Sequence, residues 1–205
     1  YNDKGKYYTD YIDLESFADQ WLFYELNEEN SVNSSVYYYK DSDICGDGKL
    51  HASWPWDMEH SLAREGGAAS SWFAAASDLK PEGYWMQFYH HRDFAEAVYK
   101  EWMTKFVPAL EKALNPETGY DPDGISSLDW YLGYYGTDAQ INESRWNGSG
   151  FAEKLEKIRR IYTVRLDFLT EALGLYDTDY IYFYKENGIL YGVNAQEESI
   201  PVENP

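Results

Sequence analysis

The sequence predicts an α+β fold, mostly helical, with two β-hairpins. Three patterns carry that expectation. Phe151, Leu155, Ile158, Tyr162, Leu166, Leu169 and Leu173 step by fours and threes, which is the spacing of one helix face. Apolar runs at 180–185 and 189–193 flank Glu186-Asn187-Gly188, and Asn-Gly is the strongest short hairpin signal. Residues 36–40 and 49–52 flank a turn rich in Asp and Gly, which reads as a second hairpin.

The elements follow in order. A helix is expected over 13–27, with Asp13 as N-cap and Phe17, Trp21 and Tyr24 on one face. A polar loop and the first hairpin come next. Residues 68–79 are Ala-rich and helix-compatible, and Pro81-Glu82-Gly83 makes a turn. Another helix is expected from Asp93, where Glu96 three residues on fits a capping box. In it Phe94, Val98, Trp102, Phe106, Leu110 and Leu114 recur every four residues, and Pro108 should kink or break the run. Residues 115–124 read as a loop. The 151–173 helix carries Lys154, Lys157, Arg159, Arg160 and Arg165, mostly a solvated face, and Gly174 suits its C-cap. The final residues, rich in Pro and Glu, read as a tail. The chain divides into a main region, 1–176, and a hairpin with an acidic tail, 177–205.

Composition narrows the function classes. The net charge of −19 makes nucleic acid a poor partner, because binding needs clustered Lys and Arg to neutralise phosphates. No run of 18 apolar residues exists, so no membrane span is expected. A single cysteine, Cys45, excludes an internal disulfide and a Cys-based zinc cage. His51, His60, His90 and His91 lack metal-ligand spacing. The acidic turn at 41–48 fails as an EF-hand, with Cys45 at a ligand position and no Glu at the twelfth. Aromatics number 38, of which 21 are Tyr, enough to form a surface patch that stacks on sugars or docks a protein.

The densest information lies in residues 25–59. Glu25-Leu26 closes a helix, and a polar loop through Asn30 follows. Then come Ser34-Ser35-Val36-Tyr37-Tyr38-Tyr39-Lys40-Asp41 and Pro55-Trp56-Asp57-Met58-Glu59. Tyr11-Ile12-Asp13-Leu14-Glu15-Ser16-Phe17 stands upstream, and Asn142-Glu143-Ser144-Arg145-Trp146 with a long helix stands downstream. In this order the segments resemble the CotH (spore coat protein H) kinase family over roughly residues 10–175.

That resemblance implies the mostly helical C-terminal lobe of an atypical protein-kinase-like fold. It implies an extracellular or spore-surface Ser/Thr kinase using ATP and Mg²⁺ on a protein substrate. An acidic surface favours a basic, Ser-rich one by steering. Asp57 would be the metal-binding catalytic acid and Glu59 a second metal ligand. Trp56 would brace Asp57 beside the nucleotide. Ser35 falls where a kinase's metal-ligating Asn would stand. Asn30 falls at the base position, where an amide cannot take a proton as a carboxylate does, so the enzyme would be weakened. Glu28 or Glu29 is the alternative base if the loop is re-registered. No Gly-rich phosphate loop is present, and an upstream lobe or a companion chain is expected to supply the phosphate contacts. The rival reading is a non-catalytic surface module that binds a protein or glycan through exposed aromatics, with Trp54 the first candidate.

Overall fold

The computed structural model describes residues 4–29, 36–58, 61–62, 88, 91–146, 150–175, 180–194, 196 and 198–202. The expected helix at 68–79 and the turn at 81–83 lie outside them.

Helix α1 spans Leu14–Asn27. Asp13 caps it as expected, its Oδ1 accepting the Ser16 N–H at 2.9 Å. Phe17, Trp21 and Tyr24 are all buried. Strands β1 (Tyr38–Lys40) and β2 (Leu50–Ala52) form the first hairpin, with Tyr39 opposite His51. Leu50 ties this hairpin to the entry of α1. Its N–H donates to the Tyr11 carbonyl at 2.7 Å, and its carbonyl accepts from Asp13 N–H at 2.9 Å.

Helix α2 (Arg92–Glu101) passes through a π-turn (Trp102–Phe106) into α3 (Val107–Leu114). The π-turn closes with the Val107 N–H donating to the Trp102 carbonyl, one residue before Pro108. Proline in a regular helix clashes with the carbonyl four residues back. The expected break is therefore a widened turn, and the helix runs on. The capping box does not form. The helix begins at Arg92, and His91 at its N-cap offers no side-chain bond. Asp93 Oδ1 instead accepts the Tyr8 hydroxyl at 2.6 Å, and Glu96 pairs with Arg92 at 2.8 Å.

A further helix, α4 (Leu128–Trp146), stands where no helix was expected. Its start is secured by Ser127, whose Oγ accepts the Trp130 N–H at 3.1 Å. Of its residues only Leu128 is buried. Trp130 stacks between Tyr120 and Tyr134, with ring centroids 5.0 and 4.9 Å away. Helix α5 spans Phe151–Leu173 and ends at Gly174 as expected.

Strands β3 (Tyr180–Glu186) and β4 (Ile189–Asn194) make the second hairpin. Asn187 and Gly188 at its turn have φ of 51° and 80°, the left-handed pair that such a tight turn requires. Tyr184 and Tyr191 pair across the strands, with stacked rings 5.2 Å apart. The supposed tail contributes a third strand, β5 (Ser199–Pro201), paired antiparallel to β4. Phe183 and Leu190 join Trp21, Leu22, Phe94 and Trp102 in one apolar cluster, so this sheet and the helices share a core. Among the described residues no helix is long and apolar enough to cross a membrane.

The π-turn also aims Lys105 at α1. Its Nζ lies 2.8 Å from Glu15, 2.8 Å from Asp19 and 2.7 Å from Glu101. Burial pushes the Glu101 carboxyl up, but Lys105 and Lys100 outweigh that and hold it below its ordinary value of 4.5. A carboxyl lowered by folding stabilises at neutral pH, and its contribution is lost as pH falls through the folded value. Glu101→Gln is therefore expected to be less stable than the wild type at pH 7, with the gap closing as pH falls below 4.5 and through the lowered folded value. Thermal unfolding of both forms from pH 7 to 3 checks this; a gap that widens on acidification contradicts it.

Candidate functional site

The C-terminal end of α1 and the segment after the first hairpin meet. The Leu62 N–H donates to the Asn27 carbonyl at 2.7 Å. Ser61 Oγ donates to Glu29 Oε2 at 2.8 Å. Residues 27–29 and 61–62, over 30 positions apart in sequence, thus touch directly. Asp57 lies four residues before Ser61 in sequence and is exposed.

The junction has an unusual backbone. Four non-glycine residues among those described have positive φ: Glu28 (53°), Asp57 (63°), Leu62 (55°) and Asn187. All but Asn187, which serves a hairpin turn, fall on the two meeting segments. Left-handed conformations of this kind cost side-chain-bearing residues free energy, and they cluster at sites where the surroundings impose them.

A buried polar network lies at the α1 side of this junction. Glu25, Glu28 and Glu29 are all buried, and Arg165 of α5 is 0 % exposed. Its Nη2 donates to the Glu25 carbonyl and to Glu25 Oε1, each at 2.6 Å. Glu28 Oε1 lies 3.7 Å from Nη1. The guanidinium thereby adds a second donor to a last-turn carbonyl of α1 that the Glu28 N–H reaches at 3.3 Å, and places positive charge at that helix end. Tyr162, one turn earlier on α5, donates its hydroxyl to Asn27 Oδ1 at 2.7 Å. Burial pushes the Tyr162 phenol up to about 12, so it remains a donor at neutral pH. Asn27 Nδ2 in turn holds the Phe23 carbonyl at 2.8 Å.

The candidate residues divide accordingly. Asp57 is exposed and sits on left-handed backbone. Trp56 is 59 % exposed and meets the Tyr37 ring edge-on at 6.0 Å. Asn30, Ser35 and Glu59 lie outside the described residues. Glu28 and Glu29 are turned inward onto Arg165 and Ser61, which gives them a scaffold role in place of the exposed base considered above. Sequence reasoning assigned Arg165 no chemistry within a mostly solvated basic stretch. Its signal was its register: it falls four after Ile161 and three before Phe168, both buried, on the apolar stripe itself.

Comparison with known protein families, characterised proteins and solved structures finds no match to this chain. Its chemistry rests on the residues themselves. An exposed carboxylate fits a magnesium ion, which takes one or two protein carboxylates and completes its shell with water and phosphate oxygens. Two other carboxylate groupings exist among the described residues. Asp13 and Asp47 flank His51 at the first hairpin, 3.6 and 3.0 Å from its two ring nitrogens, and Glu15, Asp19 and Glu101 surround Lys105.

Proposed function

We propose that the chain belongs to a CotH-type phosphotransferase at a cell or spore surface, acting on Ser or Thr hydroxyls of a protein and weakened by Asn30. The observation that supports this best is the junction itself. The loop after α1, which leads to Asn30, and the segment after Asp57 are bonded together, on strained backbone, over a buried ion network. A kinase site needs that convergence, because one segment handles the hydroxyl while the other holds the metal.

In this reading Asp57 holds Mg²⁺, with Glu59 as a second ligand, and the ion supplies charge neutralisation for the ATP phosphates. Asp57 fixes the position of that charge relative to the loop after α1. Trp56, adjacent in sequence, braces Asp57. Ser35 and Asn30 orient the phosphate side and the substrate hydroxyl. Arg165, through Glu25 and the α1 carbonyl, keeps the loop in register and is a positioning residue. An upstream lobe or companion chain supplies the remaining phosphate contacts.

The test exploits Asn30. Asn30→Asp in the intact protein restores a proton acceptor, and general-base assistance is worth ~10²–10⁴-fold. Transfer of label from ATP to a Ser-containing protein or peptide is expected to rise at least about tenfold. No transfer by either form, with Mg²⁺ and ATP in excess, removes the kinase reading.

A further inference from the structure

A groove of about 460 Å³ runs between α1, the chain leaving β2 and the π-turn. That volume suits a small ligand. Phe23, Tyr39, Trp54 and Phe106 line it, with Asp19 and Gln20 of α1 among its polar residues. Trp54 is 86 % exposed, an indole left in water beside a concave surface.

Its polar atoms are unevenly satisfied. Gln20 is only 4 % exposed. Its Nε2 donates to the Ser53 carbonyl at 3.2 Å, whereas its Oε1 has no hydrogen-bond partner. Asp19 Oδ2 is held by Lys105, and Asp19 Oδ1 is also without a partner. Burial is the main influence on the Asp19 carboxyl and raises it, consistent with a carboxylate short of solvation. Both unpaired atoms are acceptors on side chains that line the groove, and an unpaired buried acceptor is a cost that a donor removes. A ligand that completes the groove must therefore bring donors.

The donors need not carry charge. Lys105 already lies within 2.8 Å of Glu15, Asp19 and Glu101, so a second cation would have to displace it. Hydroxyl groups meet the requirement without that competition. A pyranose presents adjacent hydroxyls along one edge and a C–H face that covers an exposed indole. We propose that this groove binds a neutral saccharide, with sugar hydroxyls donating to Gln20 and Asp19 and a ring face packed on Trp54. The site is independent of phosphoryl transfer.

Calorimetry of the full chain against neutral hexose and N-acetylhexosamine hexasaccharides tests it. Binding by at least one of them is expected. It should weaken at least tenfold in Trp54→Ala and in Gln20→Leu, and persist in 0.5 M NaCl, where the Debye length is only about 4 Å. Trp54→Ala removes an exposed ring and leaves the core intact, so its loss of binding is not a folding defect. Trp146→Ala, equally superficial on α4, should bind as the wild type does. Asp57→Asn should also bind normally, which separates this site from the kinase reading. Three outcomes overturn the proposal: no saccharide bound, affinity unchanged in Trp54→Ala, or displacement by an arginine-rich peptide whose own binding vanishes in salt.

Discussion

Arg165→Met is expected to destabilise the protein by about 3–5 kcal/mol, because breaking a buried ion pair strands its partner. The stranded group is above all the Glu25 carboxylate, now 2.6 Å from Nη2, with Glu28 next in line, while the Glu25 carbonyl keeps only the Glu28 N–H. For a chain of this size the loss corresponds to a drop in Tm of roughly 6–20 °C. Arg165→Lys keeps the charge but not the planar fork, and should fall between the two. Adding Glu25→Leu to Arg165→Met should recover part of the loss, since it removes the Glu25 carboxylate and leaves Glu28 as the remaining acid that faced Arg165. Denaturant unfolding of the three variants measures this. A loss under about 1 kcal/mol for Arg165→Met would show that water reaches the network in solution.

The largest functional effect is expected at Asp57. Asp57→Asn in the intact protein should weaken binding of ATP with Mg²⁺ about 100-fold, since the phosphates lose the carboxylate that anchors their cation. Asparagine is the informative replacement for a backbone reason. Asp57 has a φ of 63°, and Asn accepts left-handed backbone as readily as Asp does. The substitution therefore removes charge and leaves the chain path alone, whereas Ala would disturb both. Unchanged affinity by calorimetry would take Asp57 out of the site.

Much of the fold was legible because burial and period agree. The stripe Phe17, Trp21 and Tyr24, the Asp13 cap and the Asn187-Gly188 turn each obey a local rule that packing does not override. Helix α4 was not legible. It buries only Leu128, so it has no apolar stripe to read, and Gly133 and Gly136 lower its intrinsic preference. The capping box at Asp93 failed because the helix starts at Arg92, which puts Asp93 inside the first turn, where its carboxylate accepts from Tyr8, 85 residues away. Strand β5 is short, exposed and contains Pro201, which suits only an edge. For the site, motif order suggested that two segments meet. The inward turn of three acidic residues was hidden, because Glu25 and Glu28 look solvated until Arg165 of α5 is in place, and Glu29 until Ser61 is.

The π-turn at Trp102–Phe106 explains a spacing that a regular helix does not allow. Steps of four residues advance about 400°, so each drifts about 40° around an α-helix and five steps would carry the stripe to the far side. A π-turn holds one residue more than the α-helical turn it replaces, and that surplus resets the phase. Trp102 and Leu110 consequently both face the core although eight residues separate them. The helix behaves as a regular one that has absorbed a one-residue insertion. Shortening it by one residue in this turn would leave Trp102 and Leu110 a heptad apart and in phase. Lengthening it by one would rotate α3 away from the core. Deletions and insertions here are thus unequal in consequence, and the residue most exposed to either is Lys105, whose aim depends on the surplus.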